Sequence, residues 1–417
     1  MLYHLFDFLD TQYDLPGAGL FKYITFRAAL AVVISLVITI VLGFRIITII
    51  KNRQMLEKQR ALGLPGEELK AKTPTMGGLL IHLAIILPCL LLCDLTNIYI
   101  QLMLLSTVWM GSIGFLDDYL KLTKGKEGLK GGYKVLGQVV LGLIVGLVML
   151  YHPQVVVRVD KSQLDLTRHN IVDTVQVAIA NTSEVKEMYY VKSTMTNVPF
   201  LKGNAFDYQY LLWFLGENAM IWVWIIFIPI VIFIVTAVSN AANLTDGIDG
   251  LAAGVSAIIG ATLGLLAYIS GNTLLSEYLG VLYVPYVGEL AIFTSSFLGA
   301  CIGFLWYNAH PAQVFMGDTG SLALGGIIAA LAIIIRKELL IPLLCGIFLA
   351  ENLSVVLQVS YFKYTKKKYG EGRRILLMSP LHHHFQKLGW HESKIVTRFW
   401  ILGIFLAVLT IITLKIR

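Results

Sequence analysis

The sequence predicts an all-α polytopic membrane protein with about ten transmembrane helices. Its 417 residues are 57% hydrophobic and only 14% charged, whereas a soluble domain carries about 25% charged residues. Apolar runs of about 18 residues or more, long enough to cross a bilayer as helices, recur along the whole chain. No stretch of ordinary soluble-domain size remains between them, so we expect a single integral membrane domain over residues 1–417.

The predicted spans follow one another along the chain. The first lacks a basic leader and a small-residue cleavage site, so we interpret it as a retained anchor and not as a cleaved signal peptide. The ten predicted spans cover residues 24–48, 76–94, 99–116, 135–151, 219–239, 250–270, 286–307, 321–335, 340–362 and 398–415.

Three connections between the spans carry most of the lysines and arginines, and they cover residues 45–72, 121–134 and 363–394. Because short cytoplasmic loops are enriched in these residues, we place all three on the cytoplasmic side, with both termini outside. The formal net charge of +7 therefore lies mostly on one surface. We expect this surface to meet anionic lipid head groups and no nucleic acid.

One long connection, residues 152–217, falls on the opposite, extracytoplasmic side. It mixes both charge signs and contains the alternating stretches "VVVRVD" and "TVQVAIA". Alternation of apolar and polar residues is typical of half-buried strands, so this insertion is predicted to form a small β-hairpin. It carries no recognisable chemical motif, and its role stays open.

Two adjacent carboxylates close the third predicted span, in "GSIGFLDDYLK". Asp117 and Asp118 destabilise each other unless positive groups neutralise them. A solvated pair at a helix end is the simpler alternative, but carboxylates at a helix C-terminus oppose the helix dipole, which disfavours a capping role. Because ionisable residues in membrane helices usually mark sites, we interpret the pair as functional.

A second polar cluster lies between the fifth and sixth predicted spans, in "SNAANLTDGIDG". It supplies Asn240, Asn243, Asp246 and Asp249. Asp-Gly steps favour turns, but a turn requires only one such step. The spacing also differs from that of a calcium-binding loop, which ends in a glutamate. We therefore interpret this cluster as part of a site.

A third cluster precedes the eighth predicted span, in "WYNAHPAQVFMGDTGSLALGG". It contains Asn308, His310, Phe315 and Asp318. A lone Gly-Asp-x-Gly is weak evidence, but here it places a third acidic group on the face of the two earlier clusters. Hard cations such as Mg²⁺ bind a few carboxylates and complete their shell with water and substrate phosphates. The sequence thus predicts acidic residues suited to a divalent metal.

Three consecutive histidines lie in the third basic connection, in "SPLHHHFQKLGWHESK". On a helix His382, His383 and His384 would point in three directions and would not all bind one metal, so a zinc site is disfavoured. Contacts with phosphate groups fit them better. Glu351, inside the ninth predicted span, is a further functional candidate.

These clusters place acidic groups, lysines, histidines and a polar turn on one cytoplasmic face next to lipid. That combination indicates phosphate chemistry on a lipid substrate. The alternative, an ion-coupled membrane transporter, requires charged groups near the bilayer midplane, whereas these clusters lie at the ends of the spans.

Five motifs in order carry a close family resemblance over nearly the whole chain. They are "TPTMGG", "FLDDYLK", "NLTDGIDGLA", "VFMGDTGSLALGG" and "SPLHHHFQKLGWHESKIVTRFW". The chain resembles the polyprenyl-phosphate N-acetylhexosamine-1-phosphate transferases and, within that superfamily, the phospho-N-acetylmuramoyl-pentapeptide transferases of peptidoglycan synthesis. The triple histidine separates these from the UDP-N-acetylglucosamine:undecaprenyl-phosphate GlcNAc-1-phosphate transferases, which are the alternative function.

The resemblance implies a ten-helix enzyme of the bacterial cytoplasmic (inner) membrane, often a homodimer, with its active site on the cytoplasmic face. It implies transfer of phospho-N-acetylmuramoyl-pentapeptide from UDP-MurNAc-pentapeptide to undecaprenyl phosphate. The products are lipid I and UMP. It also implies Mg²⁺ as the cofactor.

The resemblance assigns roles to individual residues. Asp318 would be the metal ligand, Asp117 and Asp118 the catalytic pair, and His382 to His384 the essential histidines. Whether Asp117 or Asp118 acts as a base in direct attack or as a covalent nucleophile stays open. The residues implied to bind substrates are Lys70, Thr75, Lys121, Lys134, Asn243, Asp246, Gly247, Ile248, Asp249, Asn308 and Phe315, the last by stacking on uracil.

Two departures from the family pattern limit this transfer of roles. Lys72 stands where the family usually has glycine before "TPTMGG", so either Lys70 or Lys72 would reach the nucleotide. Glu127 gives "EGL" where the family has "KGL", which leaves Lys121, Lys130 and Lys134 to contact phosphate.

Overall fold

The computed structural model describes residues 2–52, 73–124, 128–160, 169–178, 185–200 and 205–415. Long apolar helices dominate these ranges, as the composition predicts. The α-helices are α1 (Leu2–Tyr13), α2 (Ile24–Asn52), α3 (Gly78–Leu92), α4 (Ile98–Lys124), α5 (Gly131–Tyr151), α6 (Ala219–Trp222), α7 (Trp224–Thr245), α8 (Leu251–Ser270), α9 (Thr273–Leu279), α10 (Leu290–Asn308), α11 (Gly317–Ile334), α12 (Ile341–Leu344), α13 (Gly346–Tyr369), α14 (Leu381–Lys387) and α15 (Glu392–Thr413).

All ten predicted apolar segments are helical. In the described part of the chain, eight helices are long and apolar enough to cross a membrane, and the bent pair α12–α13 makes a ninth. The remaining segment, α3, is apolar but only 15 residues long. The prediction of about ten spans is compatible with this architecture. Several helices extend past the predicted limits, because their polar final turns lie outside any apolar window.

Helix α11 lies at the centre of the bundle. It packs against α3, α4, α5, α7 and α8, and 89% of its apolar window is buried. Glycines allow the neighbouring backbones to approach closely: a β-carbon added at Gly78 would lie 2.2 Å from the backbone nitrogen of Gly320, and one at Gly114 would lie 2.1 Å from the carbonyl oxygen of Asp318. Close packing of small residues is the usual way in which membrane helices associate.

One span is broken. The segment Glu338–Leu344 meets α13 at an angle of 76°. Pro342 follows directly on the first residue of α12, a position where proline needs no intrahelical hydrogen bond. Helix α13 then continues to Tyr369 and ends at Gly370, whose positive φ of 79° suits a helix C-terminus.

A buried ion pair joins three helices at the end of the bundle that contains the start of α2. The two guanidinium Nη atoms of Arg27 donate to the carboxylate of Glu289 at 2.9 and 2.5 Å. Nη1 of Arg27 also donates to the carbonyl of Leu92, at the end of α3. Glu289, just before α10, accepts a further hydrogen bond from the backbone of Asp94.

The insertion after α5 contains strands, as predicted. β2 (Asn170–Ala178) and β3 (Val185–Lys192) pair antiparallel, and β1 (Val157–Asp160) adds to β3, giving the order β1-β3-β2. A second short pair joins β4 (Met195–Asn197) to β5 (Ala205–Asp207). The two stretches from which the hairpin was predicted contribute to β1 and β2, and these strands do not pair with each other: both pair with β3, and a second two-stranded sheet accompanies them.

A buried carboxylate, that of Asp207, connects several segments of this insertion by hydrogen bonds. Asp207 accepts hydrogen bonds from Ser193 at 2.6 Å and from Thr194 at 2.5 Å, and it lies 3.1 Å from Nε2 of His169. Burial raises the pKa of Asp207, but the hydrogen bonds from these side chains outweigh it and hold the pKa below its usual range. The strands are thereby tied to one charged centre.

The insertion docks on the C-terminal end of α11. The backbone nitrogen of Asn197 donates to the carbonyl of Arg336 at 2.9 Å, and Nζ of Lys337 donates to the Asn197 side chain. Burial lowers the pKa of Lys337 to about 7. Since the 18 residues of α11 rise about 27 Å, the insertion and the first turn of α11 lie at opposite ends of the bundle.

The described residues of the three basic connections lie together at the end opposite the insertion. The C-terminal half of α2 reaches this end, because Tyr307, near the end of α10, donates to the carbonyl of Ile40. The prediction that these connections share one face is confirmed for their described residues.

Candidate active site

Three carboxylates meet between two lysines where α4, α5 and α11 converge. Asp117 and Asp118 lie in the last turns of α4, and Asp318 lies in the first turn of α11; one oxygen from each is within 4.8 Å of the others. Nζ of Lys121 is 2.7 Å from Asp117 and 3.2 Å from Asp318. Nζ of Lys134, on α5, is 2.9 Å from Asp117 and 2.5 Å from Asp318. The lysines supply the positive charge that adjacent carboxylates require.

Asp118 is held by the first turn of α11, in contrast to Asp117, which contacts the two lysines. Asp118 is 3% exposed and accepts hydrogen bonds from the backbone nitrogens of Asp318 (3.1 Å) and Thr319 (2.8 Å) and from the Thr319 hydroxyl (2.7 Å). It therefore caps the N-terminus of α11, where negative charge is favourable. A capping role was disfavoured for its own helix, but the carboxylate caps a different helix 200 residues away in sequence.

Asparagines on α7 form another wall of the same site. Nδ2 of Asn243 donates to Asp318 and to the hydroxyl of Ser321, both at 2.9 Å. The Asn240 amide exchanges hydrogen bonds with Gln138 on α5. The sequence placed both asparagines between two spans, and this was wrong: α7 continues to Thr245. A helical last turn directs Asn243 toward α11.

Backbone pairing joins two of the predicted motifs. The nitrogen of Phe315 donates to the carbonyl of Pro74, and Gly77 and Gly78 donate to the carbonyls of Phe315 and Met316 at 2.8 and 2.9 Å. The "TPTMGG" and "VFMGD" segments thus form one short ladder beside the acidic cluster. Phe315 is half-buried.

The turn after α7 is held against the connection between α10 and α11. Asn308 accepts at Oδ1 from the backbone nitrogen of Gly250 at 3.0 Å. Oδ2 of Asp249 accepts from the backbone of Ala312 at 3.1 Å and lies 3.0 Å from Nδ1 of His310. The predicted turn is present, and its polar side chains hold two connections together.

The three consecutive histidines begin α14 and have three different partners. His382 is fully buried; its backbone and its Nδ1 contact the carboxylate of Glu351 at 3.2 and 3.1 Å. Nδ1 of His383 lies 2.7 Å from Oε1 of Gln386. Nδ1 of His384 accepts from a backbone N–H at 3.2 Å. The expectation that they point in different directions is confirmed, and Glu351 belongs to this region.

His382 also brings α14 against the turn after α7. A β-carbon added at Gly247 would lie 2.1 Å from Nε2 of His382. The ring therefore rests on the backbone of this turn, and the histidine cluster is continuous with the residues around Asp249.

Replacing Gly247 by alanine is expected to lower turnover by about tenfold to a hundredfold, since displacing a group by about 1 Å has effects of this order. The added methyl group would push His382 from its position, while the φ of Gly247 is not among the positive values. Gly146→Ala, whose β-carbon would lie 3.3 Å from Ile228, serves as the control. Unchanged turnover in Gly247→Ala would show that this contact has no role.

The structure brings most of the predicted site residues to one end of the bundle. Thr75 is buried beside Gly317, and Asp246 and Ile248 lie in the turn with Gly247, the side chain of Ile248 pointing into the core. Lys70, Lys72 and Glu127 lie outside the described residues, so their predicted roles stay predictions.

Three contributors were not identified from the sequence. Thr319 donates to Asp118, and Nε2 of His82 contacts the carbonyl of Thr319 at 3.0 Å. A histidine inside an apolar run, "LLIHLAII", was the available signal for His82. Glu392, 3.4 Å from His310, gives no sequence signal because it reads as an ordinary acidic residue at a helix start.

Comparison with known proteins places this arrangement in a family. The model of glycosyl transferase family 4 matches residues 100–336, and a phospho-N-acetylmuramoyl-pentapeptide-transferase signature matches residues 70–81. The chain is 58% identical to the phospho-N-acetylmuramoyl-pentapeptide-transferase of Flavobacterium psychrophilum and 56% identical to that of Flavobacterium johnsoniae, over 100% of each chain. The chain belongs to the phospho-N-acetylmuramoyl-pentapeptide-transferase family.

Other members of the transferase family match equally completely. The phospho-N-acetylmuramoyl-pentapeptide-transferase of Parabacteroides distasonis is 54% identical over 100% of both chains. The family 4 match contains all three clustered aspartates, and the transferase signature contains the "TPTMGG" segment that pairs with Phe315. The histidines of α14 lie beyond the family 4 match.

Proposed function

We propose that this protein transfers phospho-N-acetylmuramoyl-pentapeptide from UDP-MurNAc-pentapeptide to undecaprenyl phosphate, forming lipid I and UMP. The observation that carries the proposal is sequence identity of 58% and 56%, over the full length of both chains, to two enzymes named phospho-N-acetylmuramoyl-pentapeptide-transferase. The geometry supports it, since acidic and basic groups converge at the ends of membrane helices, where a lipid phosphate and a water-soluble nucleotide can meet.

The reaction joins two anions. An oxygen of the acceptor phosphate attacks the phosphorus that carries the sugar, the bond from this phosphorus to the bridging oxygen breaks, and UMP leaves with the electron pair. A phosphate monoester has a second pKa of about 6, so the acceptor is mostly ionised at neutral pH and needs little help to lose a proton. The main task of the protein is to reduce repulsion and to position the reactants.

Lys121 and Lys134 are suited to the first task. Each ammonium group contacts both Asp117 and Asp318, which fixes two positive charges at one point. Asp118 holds the start of α11 and thereby positions Asp318. In this proposal Asp117 orients the lysines that receive the phosphates, and Asp118 is a positioning group.

The donor set fits Mg²⁺. Three carboxylates each offer an oxygen within 4.8 Å of the others, and Mg²⁺ binds through one or two carboxylates together with waters and substrate phosphates. We propose Asp318 as its principal ligand, with Asp117 and Asp118 beside it. When bound, Mg²⁺ neutralises charge on the diphosphate.

The nucleotide would lie toward the turn after α7. Phe315, Asn308, Asp249 and Gly247 border this region, and Phe315, which is half-buried, is the side chain that we propose to stack on uracil. The basic connections at this end support a cytoplasmic orientation. A homodimer, implied by the family resemblance, stays a prediction.

Donor choice tests the proposal. Purified protein with undecaprenyl phosphate and Mg²⁺ is expected to release UMP from UDP-MurNAc-pentapeptide and not from UDP-N-acetylglucosamine, with no release when undecaprenyl phosphate is omitted. Release only from UDP-N-acetylglucosamine would make the protein a GlcNAc-1-phosphate transferase. No release from either donor, together with solute flux in liposomes, would identify a transporter.

A further inference from the structure

A chain of polar contacts connects the histidine helix to the turn after α7. Nδ1 of His383 lies 2.7 Å from Oε1 of Gln386, and Nε2 of Gln386 donates to Oε1 of Glu392 at 2.9 Å. The other carboxylate oxygen of Glu392 lies 3.4 Å from Nδ1 of His310, which in turn is 3.0 Å from Asp249. These contacts join three regions that are distant in sequence: the turn at Asp249, the connection at His310, and the segment from His383 to Glu392.

The chemistry of the donors and acceptors gives this chain a direction. An ionised Glu392 only accepts hydrogen bonds, so the Gln386 amide must direct its NH₂ group toward the carboxylate. Its carbonyl oxygen then faces His383 and also only accepts. Nδ1 of His383 must therefore carry a proton, and in the neutral ring Nε2 is the nitrogen with the lone pair.

Burial enforces this arrangement. Gln386 is 5% exposed and Glu392 is 8% exposed. The opposite amide orientation would bring the Gln386 carbonyl against the carboxylate, leaving two acceptors face to face with little water to separate them. Leaving a buried polar group without its partner is unfavourable, and more so when a charge is involved.

We propose that Gln386 and Glu392 are positioning residues that fix the orientation and the tautomer of His383. The proposal rests on the proposed function. In many proteins a carboxylate bonds one ring nitrogen of a functional histidine and thereby fixes its tautomer and ring orientation. Glu392 has the same effect on His383, but it acts through the Gln386 amide. Nε2 of His383, one of the three histidines that the family resemblance implies to be essential, then carries the lone pair, and Glu392 links that histidine to Asp249 through His310.

Exchanging the amide of Gln386 and the carboxylate of Glu392 distinguishes a positioning role from a purely structural one. In Glu392→Gln the carboxylate no longer dictates the Gln386 amide orientation, and in Gln386→Glu two carboxylates oppose each other. Each single variant is expected to lower kcat by about 10- to 100-fold, the range seen when groups that orient a functional histidine are removed. The double variant again has a carboxylate facing Nδ1–H of His383 and an amide donating to that carboxylate, so kcat should recover by at least tenfold.

Ser393→Ala is the matched control. Ser393 follows Glu392 in the first turn of α15, and its side chain is exposed. The kcat and thermal stability of the Ser393→Ala variant are expected to equal those of the wild type. A Glu392→Gln variant with wild-type kcat would overturn the proposal, as would two folded, impaired single variants without recovery in the double variant.

The tautomer can also be observed directly. In the ¹⁵N spectrum of histidine-labelled protein in micelles, with the signals of His383 assigned by His383→Gln, we expect a protonated Nδ1 and an unprotonated Nε2. In Glu392→Gln the spectrum should shift toward a mixture of tautomers. A wild-type ring protonated at Nε2 alone would overturn the proposal. If the wild type released no UMP, the proposed function would fail, and this spectrum would still decide the tautomer.

Discussion

Asp318→Asn is expected to lower the rate of UMP release about 10²- to 10³-fold, the loss typical of removing a main electrostatic stabiliser. The variant keeps the shape of the side chain and an oxygen ligand, but it removes the charge that contacts Lys121 and Lys134 and that would bind Mg²⁺. The backbone nitrogen of residue 318 still donates to Asp118, so α11 should remain capped.

The measurement is UMP release as a function of Mg²⁺ concentration, with thermal unfolding in detergent recorded alongside. Asp173→Asn, an exposed substitution on β2, is the control and should retain full activity. Normal turnover of Asp318→Asn with unchanged Mg²⁺ dependence would remove Asp318 from the site and leave Asp117 and Asp118 as the ligands.

The second large effect concerns stability. Arg27→Ala is expected to lower the free energy of unfolding by about 3–5 kcal/mol, because breaking a buried pair leaves an uncompensated charge. Arg27 is 2% exposed and contacts both Glu289 and the end of α3. Activity at low temperature should persist, since this pair lies at the end of the bundle opposite Asp318.

Unfolding in mixed micelles would measure this effect. The control is Lys22→Ala, whose partner Asp10 lies in an exposed pair, and we expect no measurable change for it, because exposed pairs contribute little. Replacing Arg27 and Glu289 together by apolar residues of similar size should recover part of the lost stability. Wild-type stability in Arg27→Ala would show that the pair is not needed.

The sequence predicted what depends on local pattern. Apolar runs located all ten helical segments, Asp-Gly steps located the turn at Asp246, and consecutive positions on a helix explained why His382 to His384 diverge. The distribution of lysines and arginines also predicted that the clusters would meet at one end of the bundle.

The contacts within the site depend on how distant helices pack, and periodicity carries no information about that. Asp118 caps a helix 200 residues away, and Gly247 meets a histidine on α14. Asn243 was assigned to a loop because hydropathy falls before the helix ends. The role of Glu392 was not predicted, because it depends on contacts with Gln386 and His310 that form only in the folded protein.

The burial of α11 has a consequence for motion. A helix packed on every side against other backbones has no low-cost way to open, and its displacement would require disruption of the whole bundle. Because Asp318 lies in the first turn of this helix, its position is set by the packing of the whole bundle and not by a local loop.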